Sequence, residues 1–199
     1  GEFAPSWQGL HSNEDLRRRL GDAFGGRAIE SWPRRFGAVA TDLDEGTRML
    51  LASGDGALAV QASTAMPVYF APVRLGGRRL GDGALVEPVP VRTARELGAD
   101  YVIAVDVAYR PYEEAASGLV QNGFQAVHIL VNALAATQLR SADFALRLDL
   151  HGTMTDCGPQ SLVAAGREAI ATRWPALRRS LLAAQAAADA LRPRATARP

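Results

Sequence analysis

The chain has 199 residues, 48% hydrophobic and 22% charged, which is the composition of one soluble globular domain and not of a disordered, collagenous or disulfide-stapled chain. Twenty-two basic residues against 21 acidic ones leave a formal net charge of +1, so the overall field gives no reason to expect a nucleic-acid or anionic-membrane partner. All the basic residues are Arg, which removes every Lys-based mechanism, and the single Cys157 excludes an internal disulfide and a structural zinc cluster.

No run approaches the roughly 18 apolar residues of a membrane span, so membrane contact would be at an interface. Gly1-Glu2-Phe3 reads as a cloning scar, and residues 1–12 as a tag or linker with a disordered start. Residues 13–24 carry Leu16 and Leu20 at helical spacing behind Asn13 as a cap, which predicts a surface helix stopped by Gly25-Gly26. Residues 36–43 and 47–52 flank Asp44-Glu45-Gly46 as a hairpin. Residues 57–65 form an Ala-rich helix that Pro67 closes. Val73-Arg74-Leu75 and Arg78-Arg79-Leu80 flank Gly76-Gly77, whose glycines suit a tight hairpin turn.

Pro88 and Pro90 introduce a helix over 91–97, and the apolar run 101–107 reads as a strand buried on both faces. A long helical stretch occupies 113–139, regular from Phe124, followed by a strand over 142–150 and closing helices over 161–182 interrupted at Pro175. Residues 183–199 read as a flexible Ala/Arg/Pro tail. Helix, glycine, short connection and buried strand are the parts of an α/β layer, so the sheet is expected to be mixed, its parallel members covered by helices.

Gly-Asp-Gly-Ala occurs at 54–57 and again at 81–84. Asp55 precedes a helix and is explained as its cap. Asp82 instead follows a hairpin strand, between glycines that permit an unusual turn, and a carboxylate presented there suits general-base work as well as a plain turn. His11, His128 and His151 share no motif and read as structural or surface residues, and no cofactor or metal is expected.

From residue 62 to residue 107 the order of motifs resembles the C-terminal half of bacterial patatin-like phospholipases. Ala62-Ser63-Thr64-Ala65-Met66-Pro67-Val68-Tyr69-Phe70-Ala71-Pro72-Val73 is similar to that family's Ala-Ser-x-Ala-x-Pro-x-x-Phe-x-Pro-Val segment. The Asp-Gly-Gly/Ala motif follows at Asp82-Gly83-Ala84, then Glu87-Pro88-Val89-Pro90 and Leu97-Gly98-Ala99-Asp100. Residues 36–43, ending in Ala-Thr-Asp-Leu, look like a family strand, and 162–169 like its late helix. The resemblance covers about residues 27–180, with 13–182 as the domain.

What it implies is a three-layer α/β fold with a mixed, mostly parallel sheet, incomplete at its N-terminal side. It also implies an acyl hydrolase for phospholipids or other acyl esters that uses a Ser-Asp dyad without His. Asp82 would be the base, with Gly81, Gly83 and Ala84 shaping its turn.

The nucleophile elbow Gly-x-Ser-x-Gly and the glycine-rich oxyanion loop are missing from this chain. In the family both precede the part that corresponds to Phe36, so no nucleophile is assigned here. Ser63 and Thr64 fall in a predicted helix, where a hydroxyl bonds its own backbone. An opened sheet predicts association with the absent N-terminal segment or with a second copy. A catalytically dead binding or interaction module is the alternative. A nucleotide-binding domain is disfavoured, because neither a Gly-x-Gly-x-x-Gly turn after a strand nor a Walker lysine occurs. The expected location is cytoplasmic or membrane-peripheral.

Overall fold

A computed structural model describes residues 13–67, 69–107, 118–148 and 159–191. Helix α1 (Glu14–Phe24) buries none of its residues fully and lies against α2 (Gly56–Ser63), as a surface helix should. Asn13 does not cap α1. Its side chain turns to Gln61 on α2, donating to the Gln61 carbonyl at 3.0 Å and accepting from Gln61 Nε2 at 2.9 Å. A residue whose local use would be a cap is thus spent on a buried amide pair joining two helices.

Strands β1 (Ala38–Asp42) and β2 (Thr47–Leu51) form the expected antiparallel hairpin, from Ala38 opposite Leu51 to Asp42 opposite Thr47. The turn closes on Asp42, whose Oδ1 accepts the backbone N–H groups of Asp44 at 3.0 Å and Glu45 at 3.3 Å. Asp42 is 1% exposed and ion-paired to Arg78, whose hydrogen bond is the main cause holding its carboxyl below the usual value.

The second hairpin joins β3 (Val73–Leu75) to β4 (Arg78–Asp82). Gly76 and Gly77 have φ of +58° and +80°, the pair of left-handed conformations that a two-residue turn of matching twist requires. The four strands lie in the order β2-β1-β4-β3, antiparallel throughout. Ala62 of α2 and the following Ala65 pack with Ala40, Val73 and Leu80 beneath them. Alanine side chains hold helix and sheet little apart, so the small residues set a close approach.

After α3 (Val91–Glu96), strand β5 (Ile103–Asp106) pairs with β6 (Phe144–Arg147) in parallel, Ile103 opposite Phe144 and Val105 opposite Leu146. Helix α4 (Leu119–Leu139) starts five residues before the regular part expected from Phe124 and lies between the two strands in sequence. It covers Ala104 through Ala135 and Leu139. On the opposite face α5 (Pro159–Leu191) seats Leu177 against Phe144 and Leu146.

Parallel and antiparallel pairing are both present, as a mixed α/β sheet requires, but the expected parallel majority is not. Among the described residues only β5–β6 is parallel, because strands joined by a short turn can pair only antiparallel. Two further expectations change. The helix containing Pro175 is continuous and reaches Leu191, beyond the expected end at 182. Strand β5 is covered on one face only, since Ile103 and Val105 share the α5 face with Phe144 and Leu146 yet are 44% and 48% exposed. Helix α5 covers β6 and stops short of β5.

Candidate functional site

Asp82 ends β4 opposite Ala40 of β1 and begins a single 3₁₀ turn, Gly83–Leu85. Four interactions fix that corner. The Asp82 backbone N–H donates to the Ala65 carbonyl at 2.9 Å, and the Asp82 carbonyl accepts from Thr41 Oγ1 at 2.7 Å. Asp82 Oδ1 accepts from the backbone N–H of Ala84 at 2.8 Å. The Gly83 carbonyl then accepts from the backbone N–H groups of Val86 at 3.1 Å and Glu87 at 2.8 Å. Gly83 must be glycine, because a Cβ there would stand 2.1 Å from the Val39 carbonyl oxygen. Gly81 faces Thr41 across the ladder, and a Cβ on it would meet only the Leu43 side chain, at 2.9 Å.

One carboxylate oxygen of Asp82 is therefore spent on its own turn, while Oδ2 has no hydrogen-bond partner among the described residues. Burial pushes the Asp82 carboxyl above its ordinary value, and the Ala84 N–H only partly offsets this. No cation contributes to the shift, in contrast to Asp42, Asp44 and Asp143, which Arg partners hold below the ordinary value. A partly buried carboxyl with a raised proton affinity and one open oxygen has the properties of a general base.

The segment after the turn is clamped from two sides. Glu87, buried, accepts from the Thr93 N–H at 3.0 Å and from Thr93 Oγ1 at 2.7 Å, and Arg48 lies 3.5 Å from it. Gln138 of α4 accepts from the Val89 N–H at 3.0 Å and donates to the Val86 carbonyl at 3.3 Å. Sequence reading gave roles to none of Thr41, Glu87, Thr93 and Gln138. The signal within reach was a hydroxyl or carboxylate inside otherwise apolar stretches.

The other candidates separate cleanly. Asp55 caps α2, Oδ1 accepting from the N–H groups of Ala57 at 2.8 Å and Leu58 at 3.2 Å, and it pairs with Arg17. Ser63 is the last residue of α2, and Thr64 Oγ1 is bonded back to the Val60 carbonyl at 2.9 Å. His128 lies on α4, whereas His11, His151 and Cys157 fall outside the described residues. Among the described residues no three His, Cys, Asp or Glu side chains gather to hold a metal, and no helix is long and apolar enough to cross a membrane. Two surface grooves beside α1, of about 520 and 170 Å³, are bordered by Glu14 and Arg17; Asp82 borders neither.

Residues 3–95 match the family model described as patatin-like phospholipase, so the match includes β1 to β4 and the Asp82 turn and ends within α3. An uncharacterized NTE family protein of Mycobacterium tuberculosis is 35% identical over 99 residues, covering 50% of this chain and 28% of that protein. A lysophospholipase of Debaryomyces hansenii is 30% identical over 93 residues, covering 47% of this chain and 6% of that protein. The chain thus spans less than a third of the length of these relatives.

Proposed function

Residues 3–95 carry a segment of the patatin-like phospholipase family, and on that premise we propose that the chain is the base-bearing part of a serine acyl hydrolase acting on phospholipids or other acyl esters. Asp82 takes the proton of a serine hydroxyl as that oxygen attacks the ester carbonyl, and returns it to the departing alkoxide. The observation that carries the reading is the Asp82 corner: Oδ1 holds the turn, Oδ2 is open, and burial without a cation raises the proton affinity.

The serine comes from outside these 199 residues. No Gly-x-Ser-x-Gly is present, and Ser63 ends a helix instead of standing on a strained strand-to-helix turn. The half-covered β5 supports a further piece of chain, or a second copy, completing the sheet beside Ile103 and Val105. No cofactor enters this chemistry.

Intact mass after exposure to a fluorophosphonate, which marks activated serines, tests the assignment. The chain alone is expected to gain no adduct. An adduct mapped to Ser63 or another serine of the chain, and lost in Asp82→Ala, overturns the claim that the nucleophile is supplied from elsewhere. In a longer chain that supplies the serine, Asp82→Asn is expected to lower ester hydrolysis by about 10²–10⁴-fold. Hydrolysis unchanged by that substitution would make the corner a binding feature.

A further inference from the structure

Of the contacts that hold the Asp82 residue itself, two are made by backbone, the Ala65 carbonyl and the Ala84 N–H, and are indifferent to side-chain identity. The third is made by a side chain, the Thr41 hydroxyl on the Asp82 carbonyl at 2.7 Å. Thr41 is 3% exposed in the middle of β1, beside Ala40, which faces Asp82 across the ladder. At such a site valine has the same shape and a strong preference for the strand, so a hydroxyl in place of a methyl costs stability unless it is bonded. Its one bonded partner among the described residues is the carbonyl of the residue that carries the carboxylate.

The geometry assigns Thr41 as a positioning residue for the Asp82 carboxylate, acting through the Asp82 carbonyl and not on the substrate. The assignment rests on the reading of Asp82 as a base. The Thr41 bond and the seat of Gly83 on Val39 press the turn onto β1, and Ala84 then orients Oδ1 so that Oδ2 points away from the turn's own backbone. Without the hydroxyl the Asp82 carbonyl must find water, and the turn lifts from β1 to let water reach it.

NMR titration of the Asp82 side-chain carboxyl carbon in the complete 199-residue chain tests this. Wild type and Thr41→Ser, which keeps the hydroxyl, are expected to titrate together, above the ordinary carboxylate value. Thr41→Val, which keeps the shape, is expected to shift the titration down towards that value as water reaches the carboxylate. Leu177→Ala, which weakens the distant β6–α5 cluster, serves as the control for general loosening and is expected to leave the Asp82 titration unmoved. Should Thr41→Val fail to fold, Thr41→Ala carries the same expectation. A hydroxyl-less variant that titrates with wild type overturns the proposal, as does a shift of equal size in Leu177→Ala or a wild-type carboxyl at the ordinary value. The measurement needs neither serine nor substrate, so its outcome is independent of whether the acyl-hydrolase reading holds.

Discussion

Gly83 sits so close to Val39 that a Cβ on it would stand 2.1 Å from the Val39 carbonyl oxygen. Backbone cannot yield as a flexible side chain does, so Gly83→Ala is expected to destabilise the chain by at least about 3 kcal/mol. Gly81→Ala meets only the Leu43 side chain and should cost about 1–2 kcal/mol. Urea unfolding of the two variants checks the order; equal midpoints would mean that the turn is not seated on β1.

Asp82→Asn is expected to stabilise the isolated chain at neutral pH. The folded state raises the carboxyl's proton affinity, so ionising Asp82 opposes folding. That penalty is absent below the ordinary value of 3.8, grows as pH rises towards the raised folded value, and is complete above it. Melting temperatures of variant and wild type should therefore separate at pH 7 and converge below about pH 3.8. A variant less stable than wild type at pH 7 would contradict the raised affinity.

Thr93→Val removes a hydroxyl that donates to buried Glu87 at 2.7 Å and accepts from Arg48 at 2.6 Å. A buried carboxylate that loses one of its donors is expected to cost about 1–3 kcal/mol in chemical denaturation, although valine suits the volume. Thr93→Ser, which keeps the hydroxyl, should recover most of the loss. Equal losses in both variants would show that the methyl group carries the effect.

Ile103→Glu combined with Val105→Glu tests the open face of β5. Both side chains are about half exposed, so the pair should change the stability of the monomer by less than about 1 kcal/mol. If a second copy covers this face, sedimentation should show wild type associating with concentration while the double variant stays monomeric. Wild type that remains monomeric leaves a separate segment of chain as the occupant.

Local chemistry was legible in the sequence where it is self-contained. Gly76-Gly77 demanded a tight turn because two adjacent residues needed positive φ, and Asp55 announced a cap because its acceptors lie two and three residues ahead. Asn13 offered the same cue as Asp55 but answers Gln61, a partner 48 positions away that no local pattern reveals. An apolar run such as 101–107 states what a strand tolerates against it, not whether anything is there, so β5 was expected to be covered on both faces. Pro175 was expected to interrupt a helix that tertiary packing of Leu177 on β6 instead keeps continuous. Asp82 was visible through its glycines. Thr41 and Gln138, which reach its turn from 41 and 52 positions away, were not.

The uncovered half of the β5–β6 sheet also makes the stability of this chain a function of its surroundings. Whatever lies across Ile103 and Val105 binds the folded chain and not the unfolded one, so each rise in its free concentration is written into the folding equilibrium. At a hundred times its dissociation constant such an occupant adds about 2.7 kcal/mol, a sizeable share of what a domain of this size commonly holds. A melting temperature of this chain is therefore a binding isotherm in disguise, and titrating candidate segments against it ranks them by affinity before any of them has been tested for catalysis.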